Sequence, residues 1–116
     1  MADVAAAVAW TREEISRYGG DPDRVHLGGH SAGAWLAAWV GLDGRALAAR
    51  GHDRRFLCSL LLVSGAAYDL EDERTWELGT NRDFYEELFG REGDDWAQQA
   101  SILSQLEPPL PPALLL

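Results

Sequence analysis

Apolar positions along this chain change period several times, and each change marks an element. From 3 to 18, Val4, Val8, Thr11, Ile15 and Tyr18 recur every three to four residues with alanines between, which predicts a helix. Asp3 is placed to cap its start and Gly19-Gly20 to end it. Asp21-Pro22-Asp23 reads as a turn, because Pro22 fixes its own φ and aspartate side chains bond nearby backbone. Arg24 to Gly28 fits a short buried strand, placed at 24–29. Ala34 to Leu42 is apolar on all sides, with Trp35 and Trp39 about one helical turn apart, the pattern of a buried helix. The arginine-rich stretch to Arg55 predicts a loop with room for one helical turn at 45–50. Phe56 to Val63 is a second continuous apolar run, a strand at 57–63 ending at Ser64-Gly65.

From Asp69 to Thr80 the pattern is weak. Arg82 to Phe89 predicts a helix ended by Gly90, and Asp94 to Leu106 another, with Trp96, Ala100 and Leu103 on one side. The prolines at 108, 109, 111 and 112 stop it. Ala113 to Leu116 begins a third apolar strand. Continuous apolar runs separated by helices mean parallel strands covered on both faces. The expected class is therefore α/β, with about three parallel strands at 24–29, 57–63 and 113–116 and helices on both faces. All 116 residues belong to one domain, whose core is modest at this length.

The charge alters this picture in one place. Of the formal −9, nearly all falls between Asp69 and Asp95, where eleven acids face three arginines. Nucleic-acid binding calls for a basic stripe instead. The segment 69–95 reads as a solvated, cap-like surface, or as a field that repels anionic substrates. No apolar run approaches the roughly 20 residues of a membrane span. The N-terminus lacks the basic start and apolar stretch of a signal peptide, which favours the cytoplasm unless residues precede Met1. The single cysteine, Cys58, lies in an apolar run and reads as a buried core thiol. His26 and His30, four apart on a strand and a turn, do not share a helical face, so no metal pair is expected.

Gly29-His30-Ser31-Ala32-Gly33 carries the chemistry. It is G-x-S-x-G, set between a predicted strand and a predicted helix, the context the motif needs. The sharp turn lifts the Ser31 hydroxyl clear of the sheet, and Gly29 and Gly33 keep side chains out of the crossing. The Ala32 N–H is then aimed at the oxyanion that forms when Ser31 attacks a carbonyl. The spacing of Gly28 and Gly33 matches a phosphate-binding loop, but Ala34-Trp35 stand where Lys-Ser/Thr is required.

The run from Tyr18 through Gly20-Asp21-Pro22-Asp23-Arg24-Val25 to Gly29-His30-Ser31-Ala32-Gly33 resembles α/β-hydrolases of the esterase/lipase type. It looks most like the arylformamidase and feruloyl-esterase-like carboxylesterase group. Asp3, Ala7 and Trp10 resemble the preceding helix of that group. Val63 to Leu70 resembles the segment after its next strand, and Trp96 through Ala100-Ser101 to Leu106 the helix after that. Ile102 stands where the family often has proline.

The resemblance implies Ser31 as nucleophile, Ala32 N–H as half of the oxyanion hole, and acyl transfer followed by hydrolysis of a small carboxylic ester or N-formyl amide. It implies no metal or organic cofactor. It places the triad acid just after the strand at Ala113 and the histidine later still, so both are absent from this chain, as is the upstream half of the oxyanion hole. The chain then reads as an internal piece of a hydrolase. His26, His30 and His52 are poor substitutes for the base, and Asp69, after the second strand, is structural in the group resembled. Tyr68, Trp76, Phe84 and Tyr85 fall where the family places cap and pocket residues, and ordinary packing of a small cap explains them as well. The rival readings are a non-catalytic fragment or pseudoenzyme, and a binding module using the elbow only as a turn. In the fold resembled, strands flank the one before Ser31. Its outer edge, the outer edge of the last strand, and the apolar faces of the first and Trp35 helices are therefore expected to be exposed, a setting for self-association.

Overall fold

The computed structural model describes residues 1–77, 81–90 and 95–116. Its sheet has three parallel strands in the order β1-β2-β3: β1 Val25–His30, β2 Leu57–Val63 and β3 Ala113–Leu115. Leu116 continues the β3 ladder, giving its N–H to Leu62 and taking one from Ser64. The helices are α1 Ala2–Glu14, α2 Ala32–Ala38, α3 Arg45–Ala48, α4 Glu73–Glu77, α5 Arg82–Phe89 and α6 Trp96–Ala100. This is the expected α/β class, three parallel strands with helices around them.

Local chemistry explains most boundaries. α1 runs into a tighter turn at Ile15–Tyr18, and Gly19 at φ 81° closes it in the left-handed conformation that glycine adopts freely. Asp3 does not cap α1; the helix starts one residue earlier and Asp3 lies within its first turn. The turn at Asp21 forms as its sequence implies, the carboxylate accepting the Asp23 N–H at 2.9 Å. α2 passes into a wider turn at Trp39–Asp43. There the buried Asp43 carboxylate takes Arg45 Nε at 2.6 Å and Nη2 at 2.7 Å, so its charge is paired. The helix expected from 94 to 106 is broken. Asp94 lies outside the described residues, α6 ends at Ala100, and Ser101 is extended, with a separate short turn at Leu103–Gln105. Ser101 leaves the helix because its buried hydroxyl accepts the Leu70 N–H at 2.7 Å and the next two N–H groups bond Tyr68 O.

The core lies on one face of the sheet. Leu60 and Leu62 of β2 pack there with Ala5 and Val8 of α1, Trp35 and Ala38 of α2, Leu47 and Ile102. Gly41 lets the end of the α2 segment lie against β2: a Cβ there would come within 2.6 Å of Leu60 Cδ2. A second cluster of Ala67, Leu70, Trp96 and Ala100 sits under the acidic segment, joined by Trp76, Tyr85 and Phe89. Residues 78–80 and 91–94 of that segment lie outside the described residues.

The other face of the sheet, which was expected to carry helices as well, is open. His26, Gly28 and His30 of β1 are exposed, and beside them Leu61 and Leu114 are 44% and 55% exposed. β1 therefore alternates rather than being buried throughout. The exposure expected on the helices falls mostly on the sheet instead, since α1 buries Ala5, Val8 and Ala9 and α2 buries Ala34, Trp35, Ala37 and Ala38. Cys58 is exposed, not a core thiol. The register steps from Val25↔Leu57 to His26↔Ser59, which makes Cys58 the extra residue of a bulge and turns it outward.

An open apolar sheet face with laddering groups at both outer edges is a template for pairing. The isolated chain is expected to self-associate and to unfold without a single sharp transition, as read by size-exclusion chromatography and a urea titration. A monodisperse monomer with one cooperative transition would contradict this.

Candidate active site

Parallel strands put the ends of β1 and β2 at one edge of the sheet, and the G-x-S-x-G turn sits there. Ser31 joins β1 to α2 at φ 54°, ψ −124°, a backbone conformation that a residue with a Cβ resists. Three hydrogen bonds hold it. Its N–H goes to Val63 O at 2.9 Å, and its own carbonyl accepts the N–H groups of Ala34 at 2.9 Å and Trp35 at 3.3 Å. The Ser31 side chain is exposed at this edge. Ala32 is the first residue of α2, so its N–H has no acceptor within the helix and lies at the positive end of the helix dipole.

The two glycines of the motif do different work. A Cβ on Gly29 would stand 2.1 Å from Gly33 O and 2.7 Å from Ala34 N, so strand and helix cross only because Gly29 has no side chain. A Cβ on Gly33 would meet nothing within 4 Å. The expectation that both glycines clear the crossing thus holds for Gly29 alone.

The loop after β2 completes the edge. Ser64 at φ 49° and Ala67 at φ 59° bend it sharply, and Trp35 Nε1 donates to Ala67 O at 3.1 Å. Tyr68 returns over Gly65, where an added Cβ would come within 1.8 Å of the tyrosine hydroxyl. That hydroxyl is buried without a protein partner among the described residues, and burial holds it above its ordinary pKa of 10.0. Tyr68, Asp69, Asp72 and Thr75 rim a hollow of about 530 Å³. On that rim the half-buried Asp72 carboxyl is held below its ordinary value by its hydrogen bonds from Arg74.

Sequence reasoning did not find the Trp35–Ala67 tie, the Tyr68–Gly65 contact or the Ser101 anchor. The small-residue run Ser64-Gly65-Ala66-Ala67 was the available signal, since such runs mark close backbone approach.

The remaining chemical candidates are engaged elsewhere. His26 Nδ1 lies 2.8 Å from Ser59 Oγ on the open sheet face, and His30 is exposed on that face. His52 is not a freely exposed loop residue: it is half-buried, 2.8 Å from Glu13 and edge-on to Phe56, at the opposite edge of the sheet from Ser31. Asp69 shares the edge with Ser31, but its carboxylate accepts the Glu71 and Asp72 N–H groups, a structural turn. Of the aromatics, Trp76 packs against Tyr85 and Trp96, while Phe84 is exposed. No helix among the described residues is long and apolar enough to cross a membrane.

Residues 1–57 match the carboxylesterase family. Esterase LipQ of Mycobacterium tuberculosis is 55% identical over 43 residues, covering 37% of this chain and 10% of LipQ. The para-nitrobenzyl esterase of Bacillus subtilis is 36% identical over 74 residues, covering 64% of this chain and 14% of that enzyme. Esterase LipC of Mycobacterium tuberculosis is 34% identical over 93 residues, covering 74% of this chain and 22% of LipC. The chain thus spans between a tenth and about a fifth of these relatives. A butyrate-bound esterase from the planctomycete Thermogutta terrifontis superposes with a TM-score of 0.64 at 22% identity, over 98% of this chain and 41% of that one. That likeness shows the α/β-hydrolase fold.

The glycine asymmetry gives a paired test. Gly29→Ala is expected to lower stability by about 1–3 kcal/mol or more, as at other overpacked sites. Gly33→Ala, in open space on a helix, is expected to be neutral or to stabilise by up to ~1 kcal/mol. Equal shifts of the denaturation midpoint in the full-length protein would contradict the geometry. Tyr68 gives a second test. Its folded pKa lies above the unfolded one, so unfolded chains ionise first as pH rises. Its contribution is intact below about pH 10 and is lost as the pH climbs through the raised folded value. Tyr68→Phe should flatten that alkaline loss in denaturation midpoints taken from pH 9 to 11.5, and an unchanged pH profile would contradict the burial.

Proposed function

We propose that this chain, an α/β-hydrolase of the esterase/lipase type, carries the nucleophile of a carboxylic-ester hydrolase, and that the nucleophile is Ser31. The observation that carries the reading is the strained, exposed Ser31 between β1 and α2 at φ 54°, beside the unpaired first-turn N–H of Ala32. A serine held there has no reason to keep that conformation as a mere helix cap. Its hydroxyl makes no capping bond to α2.

In this reading Ser31 Oγ attacks the ester carbonyl carbon and gives its proton to a general base. The oxyanion takes the Ala32 N–H, the alcohol leaves, and water then releases the acid from the acyl-serine. No step calls on a metal or organic cofactor. The base and acid belong to residues outside this sequence, in keeping with the small share of its relatives that the chain spans. The names of those relatives speak for ester substrates. An N-formyl amide is the alternative that the resemblance leaves open. A non-catalytic role, as a pseudoenzyme or binding module, is favoured by the engagement of every resident histidine away from Ser31 or on the open face.

Turnover of p-nitrophenyl acetate separates these readings. The full-length protein containing this chain is expected to hydrolyse it and to lose at least about 10³-fold in kcat on Ser31→Ala. The 116-residue chain is expected to show little turnover. Full activity in the Ser31→Ala protein would end the nucleophile reading. Robust Ser31-dependent turnover by the short chain would show that the base lies within it.

A further inference from the structure

Backbone strain in this protein is gathered in one place. Among the described residues, three without the freedom of glycine adopt a positive φ: Ser31 at 54°, Ser64 at 49° and Ala67 at 59°. Hydrogen bonds join them. Ser31 gives its N–H to Val63 O at 2.9 Å, and the chain runs on from Val63 through Ser64, Gly65 and Ala66 to Ala67. There the Ala67 carbonyl accepts the Trp35 indole N–H at 3.1 Å. The backbone N–H of Trp35 in turn goes to the Ser31 carbonyl at 3.3 Å. These three bonds and the chain between them form a closed ring, and all three strained residues lie on it.

A strained backbone persists only where its neighbours over-determine it. Two links of this ring are backbone bonds that most residues supply. The third comes from a side chain, so it is the link that a substitution can remove. Trp35 is buried, and a buried indole N–H needs an acceptor. The acceptor it has taken lies on the loop that begins at Val63, the residue that anchors Ser31. The same loop lies against the first turn of α2, since a Cβ on Gly65 would stand 3.0 Å from Ala34 Cβ.

We propose that Trp35 is a positioning residue for the reaction at Ser31. Its indole N–H closes the ring that holds the backbone of Ser31, and with it the direction of Oγ relative to the Ala32 N–H. The inference rests on Ser31 as nucleophile. Without the indole bond, Ala67 relaxes toward negative φ, and Val63 O is held from one side only. A displacement of about 1 Å at a reacting group costs on the order of 10²-fold in rate. The loss falls on kcat, because the indole N–H is spent on Ala67 O and makes no contact with the ester.

Three replacements in the full-length protein separate this role from core packing. β-(3-Benzothienyl)alanine at position 35 keeps the shape of the indole and puts sulfur in place of the N–H. Trp35→Phe keeps an aromatic ring without a donor. Trp35→His does the reverse: imidazole Nε2 occupies the place of indole Nε1 in a five-membered ring, while much of the aromatic surface against Phe89 is lost. Turnover of p-nitrophenyl acetate is measured at about pH 8, where imidazole is neutral. The two donor-free proteins are expected to lose about 10- to 100-fold in kcat, with KM held within about twofold. Trp35→His is expected to have a lower denaturation midpoint than Trp35→Phe but a higher kcat. A residue that only fills the core would put the two variants in the same order on both scales, and that result overturns the proposal. An unchanged kcat in the benzothienyl protein also overturns it, and decides the matter alone where Trp35→His does not fold. Ser31→Ala is assayed beside them. Full activity there ends the nucleophile reading and this inference with it. Ser31-dependent turnover that is indifferent to the loss of the indole N–H ends this inference alone.

Discussion

Ser31 sits at φ 54°, ψ −124°, where its Cβ crowds its own backbone, and the surrounding structure must hold it there. Conformations of this kind cost about 1–3 kcal/mol each and persist only where neighbours over-determine them. Here the neighbours act from both sides. β2 takes the Ser31 N–H through Val63 O, and the first turn of α2 returns two N–H groups to the Ser31 carbonyl. Both anchors need strand and helix to approach closely, and that approach needs Gly29 to lack a Cβ. Farther along, Gly41 lets the helix lie against Leu60, so the α2 segment keeps its angle to the sheet over its whole length. The turn is thus a consequence of packing at two glycines, one at each end of the same segment.

Trp35 extends this constraint to the acidic segment. Its ring is buried in the main core, its Nε1 donates to Ala67 O, and it meets the Phe89 ring of α5 at a tilt, centroids 5.3 Å apart. Phe89 belongs to the edge of both apolar clusters. One side chain, four residues after Ser31, therefore fixes the bend after β2 and the seat of α5 together. The loop it ties is the one that carries Tyr68 over Gly65 and brings the Leu70 N–H onto the Ser101 hydroxyl. The acidic segment and the Ser31 turn are coupled through this indole.

Much of this was legible in the sequence because periodicity and punctuation agreed. The elbow was read from G-x-S-x-G between an apolar run and an all-round apolar helix, and α5 from its pattern and closing glycine. The third strand was visible because prolines isolate a short leucine run. Other features depend on partners distant in sequence. The bulge that turns Cys58 outward arises from β1–β2 register, which no local pattern encodes. α6 stops at Ala100 because Ser101 serves Leu70, 31 residues away. A run of apolar residues also does not say whether one or both sheet faces are covered. β1 and β2 read as buried throughout, yet Gly28 and Leu61 face outward. The difference between the two motif glycines was likewise beyond a pattern match, since both occupy equivalent places in it.

Topology also constrains where a proton acceptor for Ser31 can stand. His52 precedes β2, and the loop before a parallel strand lies at the edge opposite the one that carries Ser31. His26 is five residues upstream within β1, held at Ser59 on the open face. His30 is adjacent in sequence, but strand alternation commits it to the same open face, while the Ser31 turn leads off toward α2. Asp69 arrives at the correct edge, yet its carboxylate is occupied by two backbone N–H groups whose loss would unmake the turn into α4. Each resident group is excluded by position or by prior engagement, and each for a different reason. On the proposal that Ser31 is the nucleophile, its base must therefore approach the C-terminal edge of the sheet from an element other than these.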